Sequence, residues 1–262
     1  MKKIVFTDID GTLLNSSHEL TPRTGAALEK ANSAGIIIAL CSGRAHDGLL
    51  DITDSLSFSP YLVTLNGAYI LDDRKNIVSE HFFKKEELSE LEKIRKRYGL
   101  GLLYFSGEHW ASAAYDEFYE DEYSIVKRKG SACPVMEYEG KVHKYLTVGT
   151  TEANRLFAEA ARKDLSHLEI VPSSSRYTEV NTHGCDKGQG IIDVCRYTGA
   201  DIKNTYCFGD YDNDIAMFRT AGVPIAMANA VDKVKALAAH ITLSCNEDGV
   251  AVALERIIND NK

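Results

Sequence analysis

The sequence predicts an α/β protein: a parallel sheet with helices on both faces, interrupted by an inserted α+β domain. Three observations predict it. The N-terminal third alternates short apolar runs with amphipathic stretches, and the same rhythm returns toward the C-terminus. Between them, strands follow one another through short turns, which is an antiparallel habit.

Taken in order, "KIVFTDID" is a strand. "TPRTGAALEKANSAG" is a helix: Thr21 is suited to cap it, Pro22 to its first turn and Gly35 to its stop. "IIIAL" is a buried strand, "RAHDGLLDITDSL" a helix and "YLVTL" a third strand, so the crossovers are parallel. In the middle come helix "KEELSELEKIRKRYG", strands "LGLLYFS" and "HWASAAY", and helix "DEFYEDEYSIVKRKG". An irregular stretch precedes strand "VHKYLTVG", helix "TEANRLFAEAARKDL" and strands "LEIVPS" and "RYTEVNT". The last part reads "KGQGIIDVCRYTG" helix, "TYCFGD" strand, "NDIAMFRTAG" helix, "PIAMA" strand, "VDKVKALAA" helix, "HITLS" strand and "DGVAVALERIIND" helix. The expected domains are therefore residues 1–82 with 183–262, and an insertion at 83–182 whose two crossings, near 80–83 and 181–184, serve as hinges.

The 262 residues, 44% of them apolar, suffice for one to two domains. No run approaches the roughly eighteen apolar residues of a membrane span, and the N-terminal apolar segment is short for a signal peptide, so a soluble, cytoplasmic protein with no membrane partner is expected. Six scattered cysteines without a C-x-x-C pair read as reduced thiols. A net charge of −8 without a basic run argues against a nucleic-acid partner. Nothing in the sequence fixes an oligomeric state.

Four polar clusters follow predicted strands, where open α/β sheets bind ligands. The first is "DIDGT", with Asp8 and Asp10 on alternate positions. If the chain stays extended their charges repel, which requires a shared proton, a basic neighbour or a bound cation. The second is "ALCSGR", where Ser42 and the exposed amides around Gly43 suit an anion and Arg44 is either a substrate contact or a solvated residue. The third is Lys187, at a helix start where a cation opposes the helix dipole unless an anion or acid faces it. No P-loop pattern accompanies it. The fourth is "GDYDND", with Asp210, Asp212, Asn213 and Asp214. Ile215 and Ala221 stand where an EF-hand needs glycine and glutamate, which rejects calcium. A few oxygen ligands from separate strands suit Mg²⁺, shared with a substrate phosphate. Asp8 then serves as nucleophile toward phosphorus and Asp10 as general acid and base.

These four clusters, as "DIDGTL", "CSGR", Lys187 and "GDYDND", resemble the motifs of the haloacid dehalogenase-like phosphatases, in particular the Cof-type group, over nearly the whole chain. "AGVPIAMANA" and "NEDGVA" are similar to the segments that follow the fourth motif. The resemblance implies a Rossmann-like core with an inserted α/β cap for substrate specificity, and hydrolysis of a small phosphorylated metabolite through an aspartyl phosphate. It implies Mg²⁺ held by Asp8, the carbonyl of Asp10 and Asp210, with Asn213 and Asp214 beside metal or phosphate, and phosphate held by the backbone of Ile9 and Gly43 with Ser42 and Lys187. Asn66 in "LNGAYI" resembles a substrate-side asparagine of the group, although Asn-Gly between apolar runs is also a hairpin signal. Asp186 beside Lys187 departs from the usual segment and could partly neutralise it. Asp10 argues against dehalogenation, because a halide leaves without a proton. A phosphotransferase or mutase of the phosphomannomutase kind, and a non-catalytic regulator that binds phosphorylated ligands, are the alternatives.

Overall fold

A computed structural model describes residues 2–259. The chain divides into two compact units: residues 1–44, 49–79 and 186–262 form the first, and 45–48 with 80–185 the second. The second unit takes in three residues more at each end than the expected 83–182. The reason is local. Glu80 is paired with Lys141 and His143, and Phe83 N–H donates to Val142 O, all within the second unit.

The first unit begins β1 (Ile4–Asp8), α1 (Pro22–Ser33), β2 (Ile37–Cys41), α2 (Leu50–Thr53), β3 (Tyr61–Thr64), β4 (Tyr69–Leu71) and β5 (Ile77–Glu80). The second contains α3 (Lys85–Arg97), β6 (Gly101–Ser106), β7 (His109–Ser112), α4 (Glu117–Val126), β8 (Ser131–Ala132), β9 (Lys144–Val148), α5 (Thr151–Asp164), β10 (Glu169–Pro172) and β11 (Tyr177–Asn181). The chain then returns to the first through α6 (Lys187–Thr198), β12 (Thr205–Gly209), α7 (Ile215–Thr220), β13 (Val223–Ala226), α8 (Asp232–Lys235), β14 (His240–Ile241) and α9 (Gly249–Asn259).

The sheet of the first unit has the order β14-β13-β12-β1-β2-β3-β4-β5. Every pairing from β14 to β3 is parallel, and β4 turns back antiparallel on β3. Chain order runs outward from β1 on one side and from β12 on the other, so the topological switch lies between these two central strands. β1 is buried throughout, as its unbroken apolar run requires of a strand covered on both faces. Burying Phe6 alone is worth about 2 kcal/mol.

The caps match their chemistry. Thr21 Oγ1 accepts from Thr24 N–H with Pro22 in the first turn of α1, and Gly35 follows the helix at φ +81°. Several expected elements are shorter. "RAHDGLLDITDSL" makes a 3₁₀ turn and only four α-helical residues, and "VDKVKALAA" stops at Lys235, after which Leu237 and Ala238 N–H bond to the carbonyls three residues back and Ala239 N–H bonds to Pro224 O. The last two strands of the sheet, β4 and the edge strand β5, were not expected: each is at most four residues and carries too few side chains for a visible alternation. The last expected residue of the final helix, Asp260, lies outside the described residues.

The second unit carries a six-stranded sheet, β10-β11-β9-β6-β7-β8, antiparallel except for β7 with β8. Leu88, Leu91 and Ile94 of α3 and Phe157, Ala158 and Ala161 of α5 pack on one face of it. Asp116 caps α4, and Lys127 ends that helix at a left-handed φ of +54°. Trp110 is buried here, its Nε1 donating to Arg128 O. No helix among the described residues is long and apolar enough to cross a membrane.

Candidate active site

Asp8 is the last residue of β1 and therefore stands at the carboxyl end of the central strand. The chain does not stay extended beyond it. Ile9 O accepts from Thr12 and Leu14 N–H, and Gly11, at φ +79°, turns the backbone. A Cβ on Gly11 would lie 2.5 Å from Asp210 Oδ2, so the turn needs glycine for space as well as for φ.

This turn separates the two acids that the sequence places on one side. Asp8 is buried and its Oδ1 lies 2.5 Å from Lys187 Nζ. The Asp10 side chain is 42% exposed and is gripped by Arg44 through Nη2–Oδ1 at 2.5 Å and Nε–Oδ2 at 3.0 Å, with His18 Nδ1 at 3.3 Å. Each acid has its own base. The repulsion is thus met first by basic neighbours, and Arg44 is a bidentate partner of Asp10 rather than a solvated helix-start residue.

Lys187 opens α6 with its side chain fully buried. Its Nζ also donates to Asp214 Oδ1 at 2.7 Å. Asp186 does not neutralise it as its position in sequence suggested: the Asp186 carboxylate caps α6 by accepting from Gln189 N–H at 2.8 Å. Burial works against the Lys187 charge, but two carboxylates outweigh it and hold the ammonium protonated. Burial pushes the Asp8 carboxyl up, to about 7: Lys187 opposes the rise and the neighbouring Asp214 carboxylate adds to it. Cys41 is paired with Asp8 across β1 and β2, and burial pushes its thiol up, which leaves it inert as a nucleophile.

The loop after β12 sorts its four polar residues. Asp214 is fully buried and its Oδ2 accepts from Asp210 and Tyr211 N–H at 2.9 and 3.1 Å. Asp210 is half-buried, bonded by the Thr12 hydroxyl at 3.0 Å, and its carboxyl is raised by burial to about 6. Asp212 faces outward to Lys233, and Asn213 is exposed. One carboxylate oxygen each from Asp8, Asp210 and Asp214 lies within 4.8 Å of the others, close to the spread of about 4.2 Å between opposite ligands of Mg²⁺. With all three carboxylates ionised, one ammonium leaves a net charge of −2, which a divalent cation would balance.

Ser42 follows β2, buried, with its Oγ accepting from Arg44 N–H at 3.1 Å. Asn66 stands over Gly43, its Oδ1 3.1 Å from where a Cβ of Gly43 would be. Leu65 and Asn66 both adopt positive φ, +51° and +57°, in the turn that joins antiparallel β3 and β4. Asn66 Oδ1 is buried without a hydrogen-bond partner. The Asn-Gly pair is therefore at once a hairpin turn and a residue beside the Ser42 loop. The Ile9 N–H bonds to the Asp8 carboxyl. Thr12 and His18 were given no role from sequence. Thr12 lies inside the "DGT" string and was legible; His18 reaches Asp10 only through a left-handed backbone, φ +58°, that no pattern announces.

A parallel α/β sheet with buried acids at the carboxyl ends of its central strands is the arrangement in which open α/β sheets bind their ligands. The model of the haloacid dehalogenase-like hydrolases matches residues 5–254, and the chain belongs to that family. It is 29% identical over 258 residues to the 5-amino-6-(5-phospho-D-ribitylamino)uracil phosphatase YcsE of Bacillus subtilis (strain 168), covering 96% of this chain and 94% of that one. It is 26% identical to a putative phosphatase of Haemophilus influenzae, over 97% of this chain and 98% of the other. Among solved structures, a haloacid dehalogenase-like hydrolase from Bacteroides thetaiotaomicron superposes with a TM-score of 0.89 at 26% identity, covering 98% of this chain and 100% of that one.

Proposed function

We propose that the protein is a phosphatase for a small phosphorylated metabolite, a sugar phosphate or a phosphorylated cofactor precursor, and that Asp8 is its nucleophile. The observation that carries this is the buried Asp8–Lys187–Asp214 chain of ion pairs at the carboxyl end of the central strand, with the Asp210 carboxylate within 4.8 Å of the other two acids. The substrate in the name of YcsE, a phosphorylated ribityl compound, exemplifies the class.

The residues fit a divalent cation. Asp8 and Asp210 would hold it with the Asp10 carbonyl, while Asp214, whose oxygens already accept three hydrogen bonds, fixes Lys187 and the Asp210 loop. When bound, Mg²⁺ supplies neutralisation of the acids and of the phosphoryl oxygens.

Lys187, Ser42 and the amides of Ile9 and Gly43 bind those oxygens. Asp8 Oδ attacks phosphorus, the bond to the leaving oxygen breaks, and Asp10, which enters this step as the carboxylic acid, gives that oxygen its proton and becomes the carboxylate. Asp10 then takes a proton from the water that opens the aspartyl phosphate. Arg44 keeps the Asp10 side chain aimed, gripping both oxygens once it is the carboxylate that takes the proton from water, and Asn66 presents its amide to the substrate. The inserted unit selects the leaving group.

The test is phosphate release from a panel of sugar, polyol and cofactor-precursor phosphates, with Mg²⁺ and with chelator, for the native protein and Asp8→Asn. Cation-dependent release that disappears in Asp8→Asn is expected. Turnover persisting in that variant overturns the mechanism, and no release from any compound overturns the function.

A further inference from the structure

The segments "AGVPIAMANA" and "NEDGVA" come after the fourth motif, and no residue of either has a part in the proposed chemistry. Each supplies an asparagine that holds the loop following Asp10. Asn229 Nδ2 donates to Gly11 O at 2.8 Å while its Oδ1 accepts from Cys245 N–H at 2.9 Å, and Asn246 Oδ1 accepts from Ser16 N–H at 2.9 Å. A carbonyl faces one end of the Asn229 amide and an N–H the other, so its partners fix which way it points.

Asn229 sits in a turn closed by Ala230 N–H on Met227 O. Asparagine is frequent in turns because its side chain bonds its own backbone about two residues on. The Asn229 side chain instead reaches partners 218 and 16 positions away, from an exposed site where packing does not demand it. The backbone of the same turn holds the second acidic loop: Val231 N–H donates to Asp210 O at 2.9 Å and Met227 N–H to Gly209 O at 3.2 Å. One short stretch, residues 227–231, thus fastens both the turn after β1 and the turn after β12.

The fastening acts where the chain is freest. Glycine has the widest choice of backbone angles, and Gly11 stands at φ +79°. The Asp10 carbonyl belongs to the peptide that joins Asp10 to Gly11, and the Gly11 carbonyl to the next one. Holding the second peptide plane through Asn229 limits the rotations at Gly11 that would let the first plane swing. We infer that Asn229 is a positioning residue for the divalent cation, keeping the Asp10 carbonyl in register with Asp8 and Asp210; this rests on the cation assignment proposed for the phosphatase. Asn229 acts through Gly11 and is not itself a ligand. Partners of this kind, one bond removed from the metal, typically change its affinity about 10- to 100-fold.

The experiment titrates Mg²⁺ alone into the native protein, Asn229→Ala and Asn229→Gln by calorimetry at pH 8, at a temperature where circular dichroism shows the native protein folded, and records each Tm without metal. The expected result is a Mg²⁺ dissociation constant raised about tenfold or more in Asn229→Ala and less in Asn229→Gln, which keeps a longer amide, with a metal-free Tm close to the native value. Phosphate release at saturating Mg²⁺ should return toward the native kcat. An unchanged dissociation constant, with or without a lower Tm, makes Asn229 a loop tether and overturns the inference while the phosphatase reading stands; so does failure of both variants to fold. No Mg²⁺ binding by the native protein removes the cation and the inference together. Native Mg²⁺ binding without phosphate release from any ester removes the phosphatase reading alone, and the dissociation constants still decide the role of Asn229.

Discussion

Lys187 Nζ stands 2.5 Å from Asp8 Oδ1, although the two residues are 179 positions apart in sequence. The contact joins the end of the first strand to the start of α6, where the chain re-enters the first unit. In Lys187→Met, Asp8 and Asp214 are left facing each other in a buried site. The loss of the counter-charge is expected to lower stability by about 3–5 kcal/mol and to abolish phosphate release. Urea unfolding and single-turnover assays measure the two effects. Retained turnover would remove Lys187 from the chemistry.

Arg44 holds Asp10 with two nitrogen donors, a geometry that lysine cannot reproduce. Arg44→Lys keeps the charge and loses the fork. It is expected to lower kcat about 10- to 100-fold with KM changed little, because the proton donor is misaimed while phosphate binding is untouched. Steady-state kinetics across leaving groups should show the largest loss for the most basic one. A change confined to KM would make Arg44 a substrate contact instead.

Burial raises Asp210 from its ordinary 3.8 to about 6. A carboxyl raised in the fold contributes stability below about pH 4 and loses that contribution as pH rises through about 6, once it must ionise in place. Asp210→Asn never ionises. Without metal at pH 8 the variant is therefore expected to be more stable than the native protein by ~2 kcal/mol, with the difference vanishing near pH 4. Mg²⁺ at pH 8 should raise the native Tm and leave the variant unchanged. Thermal melts at the two pH values, with and without Mg²⁺, test both halves.

Asn66 combines a left-handed backbone with an unpartnered buried amide oxygen. Glycine adopts that backbone without strain. Asn66→Gly is expected to keep or slightly raise the Tm while increasing KM several-fold, the pattern of a residue retained for binding rather than for folding. Loss of stability with unchanged KM would assign Asn66 to the hairpin alone.

What the sequence determined by itself was local. The runs "KIVFTDID" and "TYCFGD" are continuous and apolar, as parallel buried strands must be, so their identity and the acids at their ends were legible from residue order. The cap Thr21 and the stop at Gly35 act within one turn of chain. The short strands β4 and β5 and the early end of α8 were not legible, because contacts with neighbouring strands set them.

Only the tertiary structure decided which base meets which acid. Sequence spacing put Asp8 and Asp10 together and set Asp186 beside Lys187; the turn at Gly11 parted the first two, and the cap of α6 occupied Asp186. Likewise Arg44 found Asp10, and Asp212 and Asp214, two residues apart, went to the surface and to the core. Charge pairing in a buried site depends on where separate strands end in space, and periodicity along one chain segment carries no such information.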